Sequence, residues 1–131
     1  MKYLLDANMV IALLNDRDSR PARRLRRHKP GDIAISAIVA HELYYGAFKS
    51  ARPTQNVALI DNLRFPILEF DSEDARDAGE LRAWLALRGT LIGPYDMLIA
   101  GQARARNLVL ATRNTGEFRR VPGLKIEDWS S

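Results

Sequence analysis

Four acids and one amide carry the chemistry this chain could perform: Asp6, Glu42, Asp96, Glu117 and Asn114. Their spacing is long and irregular, so they form no local motif, and any site has to be assembled by the fold. Carboxylates gathered near neutral pH repel one another. At ~4 Å and an effective dielectric of 20, a pair is raised by about 4 kcal/mol. Such a cluster either takes up protons or binds a cation, and all-oxygen ligands suit Mg²⁺ or Mn²⁺. Composition removes several rivals. There is no cysteine, hence no thiolate nucleophile, no thiolate zinc site and no disulfide framework. His28 and His41 are the two histidines, too few for a histidine-based zinc site.

The elements that must position these residues can be read from periodicity and capping. Residues 2–5 read as a short buried strand, and Asp6 stands where an N-cap would, ahead of the apolar run from Met9 to Leu14. Residues 17–29 suggest an exposed, arginine-rich helix, and Pro30-Gly31 a turn. Residues 32–35 give a second strand, and Ser36 caps a helix running to about Ser50. Another helix is expected from Pro53 to about Leu63, then a strand at 66–70. Ser72 is expected to cap the next helix, whose acidic start, basic end and following Gly89 complement the helix dipole. Gly93-Pro94 opens a further helix. Residues 108–112 form a buried strand and 124–127 a last short one. Strands alternating with helices predict an α/β sandwich with a mainly parallel sheet. The 131 residues are the size of a single domain, with no repeat, linker or low-complexity segment.

In open parallel sheets, ligands bind beyond the carboxyl ends of the strands. Asp6 follows the first strand directly. Asn114 and Glu117 fall in the loop after the strand that ends at Thr112, so topology alone can bring them near Asp6. Glu42 lies mid-helix beside Val39 and Leu43, on the face that should pack on the sheet, where a carboxylate is unfavourable without a partner. Asp96 is the third residue of the helix opened by Pro94, a favourable place for an anion. Taken singly, Asp6 is an N-cap, Asp96 a complement to a helix dipole, Glu42 a residue reaching for solvent and Glu117 a solvated loop acid. Their convergence is what would make them a site.

The net charge of +4 and pI of about 9.8 favour an anionic partner such as nucleic acid. No segment reaches the ~20 apolar residues of a bilayer span. The start, MKYLLDANMVIALL, is interrupted by Asp6 and lacks a small-residue cleavage site, which predicts a folded unit of a cytoplasmic protein rather than a signal peptide.

At these residues the chain resembles the PIN-domain nucleases and, within them, the VapC-type toxins of toxin–antitoxin pairs. The matching segments are LLDANMVIALL at 4–14, SAIVAHELYYGAFKS at 36–50 and the long block from Gly89 to Trp129, in family order. The resemblance implies a three-layer α/β/α sandwich and an Mg²⁺-dependent endoribonuclease, with Mn²⁺ as a possible substitute. It places Asp6, Glu42 and Asp96 as metal ligands. Thr112, Arg113 and Asn114 match a segment in which many relatives carry aspartate at the position of Asn114. Here either Glu117 supplies the missing charge or Asn114 orients a water held by the ion. The chemistry implied is in-line hydrolysis leaving 5′-phosphate and 3′-hydroxyl ends. The implied partners are an RNA substrate, with tRNA and its anticodon stem-loop foremost, a cognate antitoxin and a second copy of the chain in a homodimer. DNA is expected only indirectly, through the antitoxin complex, and no membrane is expected.

Several arginines lie near the acids in sequence: Arg104, Arg106, Arg113, Arg119 and Arg120. With the run Arg23 to Lys29 they are candidates for the RNA backbone, and Tyr44, Tyr45 and Tyr95 for base stacking. Three other readings stand beside this one. A phosphatase using Asp6 as nucleophile would want an acid two residues on, where Asn8 stands. A catalytically degenerate RNA- or antitoxin-binding module on the same fold is kept open by Asn114. A deoxyribonuclease is not separated from a ribonuclease by these residues.

Overall fold

The computed structural model describes residues 1–130. In chain order the elements are β1 (Tyr3–Leu5), α1 (Ala7–Asn15), α2 (Arg20–Leu25), a 3₁₀ turn at Pro30–Asp32, β2 (Ile33–Ser36), α3 (Ala37–Phe48) and α4 (Pro53–Asp61). They continue with β3 (Ile67–Leu68), α5 (Ser72–Leu87), α6 (Pro94–Ala105), β4 (Val109–Thr112), α7 (Thr115–Phe118) and β5 (Lys125–Asp128). The strands make one five-stranded sheet in the order β3-β2-β1-β4-β5, with every pairing parallel. Central β1 pairs Leu4 with Ala34 on one side and Leu110 on the other, and is buried throughout, as a strand covered on both faces must be.

The chain steps one way from β1 to β3 and the other way from β3 to β5. Right-handed crossovers therefore lay α1–α4 on one face and α5–α7 on the other, the three-layer sandwich expected. The direction reverses between β1 and β4, which opens a crevice beyond their carboxyl ends. Leu4, Leu5, Ile33, Ile35 and Leu110 supply the sheet's share of a core completed by Met9, Val39, Leu81, Leu85 and Ile99. Each such side chain contributes about 1.5–3 kcal/mol by burial.

On the second face, α5 and α6 touch backbone to backbone. A Cβ on Gly101 would stand 2.6 Å from the Cα of Ala78. Beside this contact lies a polar lock. Asp74, buried at 1% exposure, takes the Arg106 guanidinium at 2.9 Å and a hydrogen bond from Gln102 Nε2 at 3.1 Å. No helix among the described residues is long and apolar enough to cross a membrane.

Four local expectations need correction. Asp71, not Ser72, caps α5: it accepts from Asp74 N, while Asp74 Oδ2 accepts from Asp71 N, both at 3.0 Å. The reciprocal capping box outcompetes the lone serine. The strand expected at 66–70 shrinks to two residues because it is a sheet edge with one partner. The helix expected over 17–29 covers only Arg20–Leu25, started by the Ser19 cap. Asn114 and Glu117 are not in an open loop. Asn114 precedes α7 as its N-cap residue, and Glu117 lies within that short helix.

Candidate active site

Asp6 leaves β1 at the carboxyl edge and serves as the N-cap of α1, its Oδ1 accepting from Met9 N at 2.8 Å. Its other oxygen accepts from the hydroxyl of Thr112, the last residue of β4. Register makes this possible: Leu5 lies opposite Ala111, so the residues that follow them meet at the edge. Thr112 Oγ1 in turn accepts from Asn114 N at 2.9 Å. The carboxylate of Asp6 is thus clamped from both sides while only 3% exposed. Burial pushes it above the usual carboxylate range, and the bonds from Thr112 and Met9 pull it back.

Glu42 projects from the middle of α3. Its Oε1 is buried and has no hydrogen-bond partner. Burial, then the charge of Asp6, raise its affinity for a proton, with His41 opposing them. Asp96 stands in the first turn of α6 beside Gly93 and Pro94. Its carboxyl is pushed up to about 7 by burial first, then by a hydrogen bond and charge from Glu117, then by the charges of Asp6 and Glu42. Glu117 is the anionic member of that pair. Asn114 Nδ2 donates to its Oε2 at 2.9 Å and Gly93 N to its Oε1 at 3.2 Å, and these bonds, with the one from Asp96, hold it below its ordinary value.

All five residues singled out from the sequence therefore lie on one edge, where two strand–helix junctions, the start of α6 and the middle of α3 meet. Asn114 and Glu117 act together, the amide holding the acid. Among the described residues, no three acids close on one point as a finished coordination cage. They lie along the crevice at this edge, where the charges of Glu117, Asp6 and Glu42 all bear on Asp96.

The donor set fits a hard divalent cation. It is entirely oxygen, it contains a buried carboxylate oxygen without a partner, and its crowding raises the proton affinity of Asp96. Asp6, Glu42 and Asp96 are the residues that could hold such an ion, with Glu117 hydrogen-bonded to Asp96.

Sequence reading missed Thr112 as the residue that orients Asp6. The signal was available: a hydroxyl ending the strand that pairs with the Asp6 strand. It also misplaced two arginines. Arg104 is paired with Asp77 at 3.3 Å and Glu80 at 3.4 Å, and Arg106 is spent on Asp71 and Asp74. Both sit at the far end of α6 from Asp96, about 12–15 Å along its axis. Arg24 is likewise engaged, bonding Asp128 O at 2.8 Å and Glu127 at 3.4 Å. His28 stacks on Trp129 with ring centroids 5.2 Å apart. Arg113, Arg119 and Arg120 remain exposed beside the groove.

Known proteins share this sequence pattern and fold. The PIN domain family model matches residues 3–124. The chain is 40% identical over 132 residues to the tRNA(fMet)-specific endonuclease VapC of Shigella flexneri, covering 99% of each chain. It is 39% identical to Ribonuclease VapC2 of Rickettsia felis, covering 98% of each. Among solved structures, DNA-bound VapBC from Salmonella typhimurium superposes with a TM-score of 0.93 at 40% identity, covering 98% of each chain. PIN-domain nucleases depend in general on a divalent cation. The chain belongs to the PIN-domain family and, within it, to the VapC ribonucleases.

Proposed function

We propose that residues 1–131 form a single nuclease domain, the toxin of a toxin–antitoxin pair, which hydrolyses RNA in the cytoplasm with Mg²⁺, or Mn²⁺ in its place. The observation that supports this reading is the acidic edge itself: Asp96 within reach of the charges of Asp6 and Glu42, and Glu42 Oε1 buried and unpartnered. The Shigella flexneri relative named above is a tRNA(fMet)-specific endonuclease, so a tRNA anticodon stem-loop is the substrate class proposed here.

When bound, the cation would polarise the scissile phosphate and lower the pKa of the attacking water. The chain's own residues do the rest. Thr112 and Met9 N–H fix the direction of the Asp6 carboxylate. Glu117, held anionic by Asn114 and Gly93 N–H, accepts a hydrogen bond from the protonated Asp96 carboxyl, so it positions that carboxyl until Asp96 ionises. Exposed Arg113, Arg119 and Arg120 offer phosphate contacts around the groove, which makes binding salt-dependent.

An antitoxin segment has a seat beside the same acids. An apolar groove of about 350 Å³ between α1, α3 and α4 is lined by Ile11, Leu14, Leu43, Leu59 and Ile60 and runs up to Glu42. A homodimer, and DNA contact made through the antitoxin complex alone, complete the proposed assembly. Structural neighbours include VapBC complexes bound to DNA.

The test is incubation of the purified protein with total RNA, with Mg²⁺ and with EDTA, followed by mapping of new ends. Cutting that needs the cation and leaves 5′-phosphate and 3′-hydroxyl ends is expected, and Asp6→Asn should abolish it while the protein stays folded. Cyclic phosphate ends, or cutting in EDTA, overturn the reading. No cutting under any condition favours the non-catalytic binding module.

A further inference from the structure

On the side of Glu42 away from the apolar groove lies a second cleft, of about 460 Å³, lined by His41, Glu42, Tyr45 and Tyr95. It falls within the size of small-ligand pockets, about 300–1,000 Å³. Its walls are aromatic and open. Tyr45 is 61% exposed and Tyr95 45% exposed, although Leu43 and Ala47 on α3 and Met97 on α6 are buried. His41 meets Tyr95 edge to face, with ring centroids 5.7 Å apart. The aromatic character continues along α3. His41, Tyr45 and Phe48 fall at i, i+4 and i+7, one stripe on the helix, and Phe48 is 66% exposed. Lys49 Nζ lies 4.6 Å from the centre of the Tyr45 ring, which puts a cation on the stripe.

Rings left open to water in this way mark a binding surface. Three observations choose the occupant. The cleft shares Glu42 with the acidic edge, so whatever fills it lies next to the scissile bond. Its walls are flat rings rather than the branched aliphatics that line the α1–α4 groove. A lysine completes it, which suits a polyanion. We propose that this cleft takes an unstacked base of the RNA, from a nucleotide flanking the scissile phosphate, stacked on Tyr45 and Tyr95 with His41 at its edge. Unpaired bases stack on aromatic side chains in this manner, whereas bases within a duplex cannot reach them. The cleft therefore makes the enzyme select a phosphodiester beside a splayed nucleotide and pass over one inside a continuous helix. This deepens the proposed ribonuclease function and rests on it for the placement of the cut.

The experiment uses a 12-nucleotide single-stranded RNA with one 2-aminopurine, and the same strand annealed to its complement. Binding is followed by quenching of 2-aminopurine fluorescence in the Asp96→Asn protein, where cutting is silent. Cutting is followed separately in the Asp96 protein with Mg²⁺. The expected result is quenching with the single strand and none with the duplex. Tyr45→Ala or Tyr95→Ala should weaken single-strand binding roughly 5- to 150-fold. Tyr45→Phe and Tyr95→Phe, which keep the ring, should bind like the parent. In the cutting assay the alanine variants should raise KM more than they lower kcat. Alanine variants that are folded and quench as the parent does overturn the proposal. So do alanine variants that keep RNA affinity but lose dimerisation or antitoxin binding, which would assign the stripe to a protein partner. If the Asp96 protein cuts nothing, the ribonuclease reading fails, and the quenching assay still decides whether the cleft holds a base.

Discussion

Replacing Asp96 by asparagine should stabilise the cation-free protein at pH 8 while abolishing cutting. The Asp96 carboxyl is raised from an ordinary value of 3.8 to about 7, first by burial and then by Glu117. A carboxyl raised in the folded state binds more protons folded than unfolded. Its destabilising effect is absent below about pH 4, grows as the pH rises towards 7 and is constant above. At about 1.4 kcal/mol per pKa unit, the ceiling of this effect is about 4 kcal/mol. Water at the open groove screens the charge, the helix N-terminus favours it and Glu117 shifts in the opposite sense, which brings the expected value to about 1–2 kcal/mol. That corresponds to roughly 3–10 °C in Tm for a chain of this length. The assay is thermal melting of both proteins in EDTA at pH 5.5 and pH 8. Wild type should lose stability relative to the variant between the two pH values, and millimolar Mg²⁺ at pH 8 should restore it in wild type far more than in the variant. Melting curves that run parallel across this range, with or without the cation, refute the crowded-acid account of the groove.

Two further substitutions separate placement from packing. Thr112→Val keeps the shape of a buried side chain but removes the hydroxyl that donates to Asp6 and accepts from Asn114 N. It should lower stability by about 2–3 kcal/mol in urea melts and reduce kcat at least tenfold with little change in KM, and Thr112→Ser should recover most of both. Arg106→Ala strips the buried Asp74 of its main counter-charge and should lower stability by about 2–4 kcal/mol, less than a wholly isolated charge because Asp71 N and Gln102 still bond it. Its cutting rate per folded molecule, measured well below the melting temperature, should match wild type.

Much of this molecule could be read before its shape was known, because most elements carry agreeing signals. Strand 108–112 is apolar and bounded by polar turns, the proline of α6 sits at the helix start, and Ser36 caps α3 as its type predicts. What was not legible depends on partners distant in sequence. Arg104 and Arg106 look like free cations on a helix beside the acids, and only the packing of α5 against α6 reveals that they are spent on carboxylates. The length of β3 is set by its having one neighbour, which no local pattern encodes. The position of Glu117 shows the same limit. Its bond from Gly93 N joins α7 to the turn before α6, two segments far apart in the chain.

The contact of Gly101 with Ala78 reaches beyond the stability of two helices. With no side chain between them, α5 acts as a stop against which α6 is set, and Asp96 rides at the end of α6 about 7 Å along the axis from that stop. A methyl group added at Gly101 would wedge the helices apart and carry Asp96 with them. A lesion on the face opposite α1 and α3, involving no acid and no arginine, would then read in an assay as damage to the groove. The spacing of the acids is thus maintained by a helix that contributes none of them.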